Sequence, residues 1–371
     1  MTHSQNDPQI TEGIKYAGSK RLLIPHILEM VRSVNVSHVL DGFSGTSRVS
    51  QALAKSGYQV TANDISIWSE TFGLCYLCND KPPQAYEGLI SHLNHLKPIS
   101  GWFTEHYGGH ENGGVSVQSD GCKKPWQIHN TQKLDAIRSE IDRLNLTPIE
   151  RAVALTSLIL ALDAVDNTLG HQAAYLYRWA PRSYHPLTLR IPQTFVAVKE
   201  NFVSRANIFD VLPHTVVDLA YFDPPYGSNN VKMPSSRIRY AAYYHLWTTI
   251  CLNDFPPLFG KAKRRQDTSD LASASIFENF RQNPSGHFIA VEAIRNLLQN
   301  TRAKWIILSY SSGGRATAEE LNDVMKEVGV LRKVKEISYR KHAMAEMTST
   351  GNWLHDAQTP NREFLFLLEK E

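Results

Sequence analysis

The stretch YFDPPYGSNN, from Tyr221 to Asn230, places a carboxylate, two prolines and aromatic rings within a few residues of one another. It grows out of an apolar run, VVDLAYF from Val216 to Phe222, that reads as a buried strand. Two prolines cannot continue a strand ladder, so the spacing predicts that the strand stops at Asp223. They also hold the Asp223 carboxylate, the Pro224 carbonyl and the Tyr226 ring in one stiff turn. The chemistry on offer is a set of hydrogen-bond acceptors beside an aromatic face.

A second stretch, DGFSGTS from Asp41 to Ser47, closes a strand with an acid and turns through small residues into a helix. A turn without bulky side chains lets a ligand approach the backbone closely. The stretch is not the G-x-G-x-x-G fingerprint and lacks the Walker lysine, which argues against a nucleotide-phosphate grip. The next strand ends at Asp64, where an acid is placed to hold ribose hydroxyls. Together these residues point to an adenosine-containing ligand. Ahead of the first strand, YAGSKR from Tyr16 to Arg21 offers a Gly-Ser pair and Lys20 before a helix start.

The elements that must position these residues follow from periodicity. Helix is predicted over 24–34 and 48–55, strand over 39–43 and 58–62, with Gly57 ending the second helix. This strand–turn–helix–strand unit opens a parallel α/β sheet. From about 66 to 205 strand signals are scarce and helical periodicity dominates over 65–78, 131–145 and 149–166. Residues 100–128 read as a loop, and the whole as a mainly helical insertion. Strands resume at 216–222 and 304–310, with a helix over 316–328. The runs 334–339 and 363–368 read as two last strands, an antiparallel pair.

Composition bounds the function. The 371 residues carry 39 basic and 36 acidic side chains, a net charge of +3 that by itself identifies no nucleic-acid partner. The distribution says more. Lys232, Arg237, Arg239, Lys261, Lys263, Arg264 and Arg265 stand against Asp254 alone, and Arg332, Lys333, Lys335, Arg340 and Lys341 against Glu336. Such patches fit a phosphate-binding face. Four cysteines make no disulfide framework in a chain this long. Cys75 and Cys78 lie in an apolar helical stretch and read as core thiols. His106 and His110 have no third ligand, so no metal site is expected. The polar N-terminus carries no signal-peptide pattern, and the apolar run 153–165 is too short to span a bilayer. A cytoplasmic protein is expected.

The order of these motifs resembles the DNA adenine methylases, and within them the Dam-like class. There, cofactor motifs precede a target-recognition insertion and an Asp-Pro-Pro-Tyr motif follows it. The stretches NTLG (Asn167 to Gly170), YLYRW (Tyr175 to Trp179), YYHLW (Tyr243 to Trp247) and ILSYSSG (Ile307 to Gly313) are also similar to that family. The resemblance implies a class I (Rossmann-like) methyltransferase sheet, an α/β fold. Residues 1–65 and 206–371 would form the catalytic domain, with a helical insertion over 66–205 for DNA target recognition. It implies S-adenosyl-L-methionine as cofactor. Tyr16, Gly18 and Lys20 would stand near its methionine end, and Asp41, Phe43, Ser44 and Gly45 in the turn beneath it. Asp64 would take the ribose hydroxyls, and Asn207 and Ile208 would flank the cofactor adenine. Asp223, Pro224 and Tyr226 would be the catalytic set. Two departures stand out. Ser47 occupies a position where many members have a second glycine, and Asn207 one where an acid is common.

The implied reaction is methyl transfer to the exocyclic N6 amine of adenine in duplex DNA. That amine is a weak nucleophile, because its lone pair is delocalised into the ring. The Asp223 carboxylate and Pro224 carbonyl, aimed at its hydrogens, would localise the lone pair and stabilise the charge that develops. A base inside a duplex cannot reach such a pocket, so it must be flipped out, and Tyr226 would stack on it. Lys123, Lys124, Arg178 and Arg182 are the insertion's candidates for DNA contact. Lys261, Lys263, Arg264 and Arg265 read rather as phosphate binders. The resemblance further implies a bacterial, nucleoid-associated setting, a cognate restriction endonuclease as partner and a monomer. The rival readings are an RNA adenine methyltransferase and an inactive methylase-like DNA-binding protein.

Overall fold

The computed structural model describes residues 7–226, 240–269, 275–279, 281–339 and 361–370. Gly227 to Asn230, the basic residues Lys232, Arg237 and Arg239, and Arg340 and Lys341 lie outside the described residues. Seven strands form one sheet: β1 His38–Asp41, β2 Gln59–Asp64, β3 Phe202–Arg205, β4 Val216–Phe222, β5 Arg302–Ser311, β6 Gly329–Tyr339 and β7 Asn361–Lys370. Their spatial order is β6-β7-β5-β4-β1-β2-β3. The run from β5 to β3 is parallel throughout. The strand β7 is antiparallel to both of its neighbours. The fold is thus mixed α/β with a mostly parallel central sheet.

Alternation along the strands builds two cores, because successive side chains point to opposite faces. Val39, Leu219, Tyr221, Ile307 and Leu365 face one core, which also takes the helices α1 Ile24–Arg32, α2 Arg48–Lys55 and α3 Ile67–Leu77. Leu40, Ala220, Phe222, Ile306 and Phe366 face the other. Burial on both faces explains why β4 reads as a near-continuous apolar run.

Between β2 and β3 the chain is mainly helical: α3, α4 Glu87–His95, α5 Trp102–Tyr107, α6 Ile128–Arg143 and α7 Pro148–Ala164. The α7 start is well specified. Thr147 and Glu150 make reciprocal capping bonds, and Pro148 fills the first turn where no amide partner is needed. The helix α5 lies inside the stretch read as loop. The strand β3 uses the last residues of the stretch read as strand-poor; it is an edge strand whose Phe202 is exposed, so it shows no buried alternation. The remaining helices are α8 Ile208–Val211, α9 Tyr240–Tyr243, α10 His245–Leu252, α11 Ile289–Asn300 and α12 Ala318–Val328. The predicted last strands do pair antiparallel, with Ile337 opposite Glu363.

Register decides what meets at the sheet's end. Asp41 of β1 lies beside Ala62 of β2 and Tyr221 of β4, so β1 and β4 finish within one residue of each other and β2 runs two residues further, to Asp64. The strand β7 runs the other way, and so begins where the parallel strands end. Glu363, opposite Ser311 of β5, arrives at that end for this reason. Among the described residues no helix is long and apolar enough to cross a membrane.

Candidate active site at the strand ends

A cavity of about 840 Å3 opens at the C-terminal ends of β1, β2 and β4. It brings together eleven of the thirteen site residues expected from sequence: Tyr16, Gly18, Lys20, Asp41, Phe43, Ser44, Gly45, Asp64, Asn207, Ile208 and Asp223. The other two are close by. Pro224 is buried and Pro225, the next residue, lines the wall. Tyr226 is half-buried and tied to Asp223 through its hydroxyl.

The turn after β1 is held by the end of β2. The Asp64 carboxylate accepts from the amides of Gly45 and Ser66, each at 2.9 Å. The Ser44 amide donates to the Asn63 carbonyl at 2.9 Å. Gly45 sits at φ +48°, the left-handed region that favours glycine, and a methyl group there would lie in ordinary contact with the Tyr16 ring. Ser47 also takes the left-handed region, at φ 56°. Serine therefore adopts a conformation that favours glycine, and the tight turn into α2 is kept at some cost in strain. Asn207 caps α8, its side-chain oxygen accepting from the Phe209 amide at 3.1 Å, which engages one lone pair of that carbonyl.

Burial pushes the Asp41 carboxyl up to about 7, against the pull of the Ser50 hydroxyl bonded to Oδ2. Its Oδ1 is buried and makes no hydrogen bond of good geometry among the described residues, although the nearby Phe43 amide also favours the charge. A buried acceptor left over in the wall of a cavity is the mark of a site that a ligand completes. The small-residue turn, the unmatched acceptor and the Asp64 carboxylate fit an adenosine-containing ligand.

At the other end of the cavity stands a cluster drawn from four segments. The buried Lys20 ammonium lies 3.0 Å from Asp223 Oδ1 and 2.9 Å from Glu363 Oε1. The Tyr226 hydroxyl accepts from Lys20 and has one proton to donate; Asp223 Oδ1 and Glu363 Oε1 are both in reach, the latter at 2.7 Å. Ser309 donates to the same Glu363 oxygen at 2.8 Å. Burial raises the Asp223 carboxyl above the usual range, opposed by Lys20 and assisted by Glu363. Burial also works against the Lys20 ammonium, but the two carboxylates outweigh it and hold the proton more tightly than usual. The Tyr226 ring leans on Tyr310, with centroids 4.8 Å apart and planes at 57°.

Aromatic rings complete the walls. Tyr16 stacks on Tyr240 and Tyr244 at 5.3 and 4.8 Å and tilts against Trp68. Phe43 meets Phe277 edge-on at 5.3 Å, and Phe209 lies nearly parallel to Phe277. Sequence reasoning missed Ile65, Trp68, Phe209, Tyr240, Phe277 and Glu363. The apolar Ile65 is 73% exposed directly after an acid that closes a strand, a signal that was readable. Glu363 was readable only as a lone acid opening an apolar strand. Just ahead of Tyr16, the Lys15 ammonium lies 2.6 Å from Asp166 Oδ1, at the end of α7, and its amide donates to Asp163 Oδ2 at 3.0 Å. Arg182 donates to the same Asp166 oxygen at 2.9 Å.

The basic candidates divide. Lys124 is buried and bonds the His106 carbonyl and Asp120. Arg182 is held by Asp166. Arg265 is 4% exposed and forked between Asp254 and Asp267, so its guanidinium serves the fold and not a phosphate. Lys123, Arg178 and Lys261 are exposed. Asn167, in the NTLG stretch, is a buried turn residue whose amide bonds the backbone of Leu176 and Ala180. Cys75 is buried in the core and Cys78 half-buried. Among the described residues no group of three or more metal-ligating side chains converges.

Comparison with known proteins decides the family. The sequence profile of the D12 class N6 adenine-specific DNA methyltransferases matches residues 16–310. The chain belongs to that family. The matched span runs from Tyr16, at the cavity, to Tyr310, which packs on Tyr226. Among curated relatives of this chain, the modification methylase StsI of Streptococcus sanguinis is 30% identical over 344 residues, covering 89% of this chain and 49% of its own length. The type II methyltransferase M.FokI of Planomicrobium okeanokoites is 26% identical, covering 96% of this chain and 53% of its own length. The chain thus spans about half the length of these two relatives. The type II methyltransferase M.NlaIII of Neisseria lactamica is 25% identical, with 96% of this chain and 99% of its own length covered.

Proposed function

We propose that this chain is a site-specific DNA adenine methyltransferase that transfers a methyl group from S-adenosyl-L-methionine to N6 of a flipped adenine. The observation that carries the reading is that Asp223 and the Asp41–Gly45 turn open onto one cavity. A reactive acceptor set and a nucleoside-sized cradle therefore share one space. The strand order, with its antiparallel β7 between β5 and β6, supports a class I (Rossmann-like) sheet. Residues 1–65 and 206–371 are read as the catalytic domain and 66–205 as the target-recognition insertion.

The residues divide the work. Asp64 holds the ribose hydroxyls with the lone pairs left after the Gly45 and Ser66 amides are served. Asp41 offers its unmatched Oδ1. Ile65, Ile208 and the Asn207 amide flank the adenine moiety of the cofactor. Tyr16, Gly18 and Lys20 stand toward its methionine end. When bound, S-adenosylmethionine supplies an electrophilic methyl group on a sulfonium. Asp223 and the Pro224 carbonyl accept hydrogen bonds from the substrate amine and direct its lone pair, and Asp223 takes up the proton released. Acceptors fixed in advance where positive charge develops lower the barrier without reorganisation. Tyr226, anchored through its hydroxyl, gives the flipped base a stacking face, a contribution of about 1–3 kcal/mol. Lys123, Arg178 and Lys261 are the exposed cations left to meet DNA phosphates. A cognate restriction endonuclease and a monomeric, cytoplasmic enzyme complete the proposal.

The test incubates the chain with unmethylated plasmid DNA and S-adenosylmethionine labelled in its methyl group, then digests the product to nucleosides. Labelled N6-methyladenine, absent with Asp223→Ala, is the expected result. Unlabelled DNA with cofactor bound rejects the reading; label in RNA offered in parallel transfers it to an RNA substrate.

A further inference from the structure

Glu363 enters the cluster from β7, 137 residues beyond Tyr226 in sequence. Its side chain is 1% exposed, and the strand around it, from Phe364 to Leu368, is apolar. A buried carboxylate costs stability unless it is paired, and an apolar residue would pack there at less cost. All three of its bonds described above lead to one oxygen: Lys20 at 2.9 Å, the Tyr226 hydroxyl at 2.7 Å and the Ser309 hydroxyl at 2.8 Å. Lys20 also bonds Asp223 Oδ1, and the single Tyr226 proton lies within reach of either carboxylate.

The charge balance gives this sharing a purpose. Lys20 and Asp223 alone form a neutral pair, with the ammonium competing for the acceptor that a substrate amine needs. With Glu363 on the same ammonium, the ionised cluster carries one net negative charge beside the place where the amine becomes positive. We propose that Glu363 is a positioning residue for methyl transfer: it offsets the Lys20 charge and shares the Tyr226 hydroxyl, leaving Asp223 a net negative acceptor for the incoming amine. This rests on the adenine-methylation reading above.

The titratable groups facing Asp223 and Glu363 come from every neighbouring element: Tyr16 and Lys20 ahead of α1, Asp41 ending β1, Tyr221 on β4, Tyr226 beyond it and Tyr240 on α9. Burial carries the tyrosines well above their usual value, so the acid limb of a rate profile belongs to the carboxylates. Burial disfavours the Glu363 carboxylate too, but Lys20, joined by the Tyr226 and Ser309 hydroxyls, offsets it and holds the group below its usual range. The Glu363 charge in turn raises Asp223. Removing that charge while keeping the shape therefore lowers the Asp223 pKa.

The experiment follows labelled N6-methyladenine formation by the full chain on unmethylated plasmid across pH. In Glu363→Gln, kcat falls by about a hundredfold, as expected when a reacting group is displaced slightly. The acid limb of the kcat profile moves to lower pH, and S-adenosylmethionine affinity by calorimetry stays near the parent value. Glu363→Asp keeps the charge but shortens the reach, so it lowers kcat and leaves the acid limb in place. A Glu363→Gln variant with parent-like kcat, or with reduced kcat and an unmoved acid limb, overturns the proposal. If circular dichroism shows that Glu363→Gln does not fold, Glu363→Asp decides, and parent-like kcat there overturns it. Absence of N6-methyladenine from the parent chain instead overturns the methylation reading itself.

Discussion

The turn after β1 and the carboxylate cluster beyond β4 share one cavity but are assembled in opposite ways. The turn is local. Its Gly45 amide reaches a carboxylate only 19 residues away, and its shape is written in small residues between Asp41 and Ser47. The cluster is long-range. Lys20 and Tyr226 are 206 residues apart, Tyr226 and Glu363 a further 137. Local backbone geometry survives as a short motif that can be read directly. A site made of side chains from four segments exists only when the whole sheet is in register. The two halves should therefore fail differently, the cluster in the chemical step and the turn in binding and stability.

Asp223→Asn is the strongest way to break that division. It keeps the side chain's size but removes the charge of the acceptor proposed to face the amine, so kcat should fall by about a thousandfold with cofactor affinity retained. Loss of cofactor binding in step with kcat would show the two halves to be one unit. Tyr226→Phe comes next. It keeps the ring but removes the hydroxyl between Asp223 and Glu363, and kcat should drop about tenfold, whereas Tyr226→Ala also loses the stacking face and falls further. Equal losses in the two variants would assign the whole effect to the hydroxyl.

On the turn side, Asp41→Asn tests the unmatched acceptor. A carboxyl raised to about 7 in the folded state stabilises nothing further once ionised. Below its unfolded value of 3.8 it is protonated in both states, and stability is lost as pH rises from there through 7. The asparagine variant does not titrate. Without cofactor its unfolding free energy relative to the parent should therefore rise over that window, by at most about 4 kcal/mol, while its affinity for S-adenosylmethionine falls. A flat difference in denaturant titrations from pH 4 to 8 would contradict the buried charge. The smallest effect is expected from Ser47→Gly. Relief of the left-handed strain is set against added chain entropy and a lost bond from Gln51, so the gain should be below about 1 kcal/mol. A falling Tm would show that the serine is held there by its contacts.

The same contrast explains what could be read from the chain. Asp41, Gly45, Asp64 and Asp223 were legible because each sits at a strand end in a recognisable turn, and strand ends follow from apolar runs and prolines. The helices α2, α7 and α12 were legible to within two residues because caps and periodicity agree. The strand β3 was not, since an exposed edge strand buries no alternating face. Glu363 was not, because its place depends on β7 inserting beside β5 in register with Ser311, which a lone acid before an apolar run does not encode. Arg265 was read as a phosphate contact from a run of basic residues. Its neighbours Asp254 and Asp267 fold back onto it, and a count of charges along the chain cannot see that.

Lys15 has a consequence for engineering. Its ammonium ties the segment entering the cavity to Asp163 and Asp166 at the end of α7, and Asp166 also receives Arg182. A chimera that exchanged residues 148–182 with a relative but kept its own N-terminal segment would separate these acids from their cation. The unit that can be exchanged intact is therefore discontinuous: position 15 has to travel with the donor's helix.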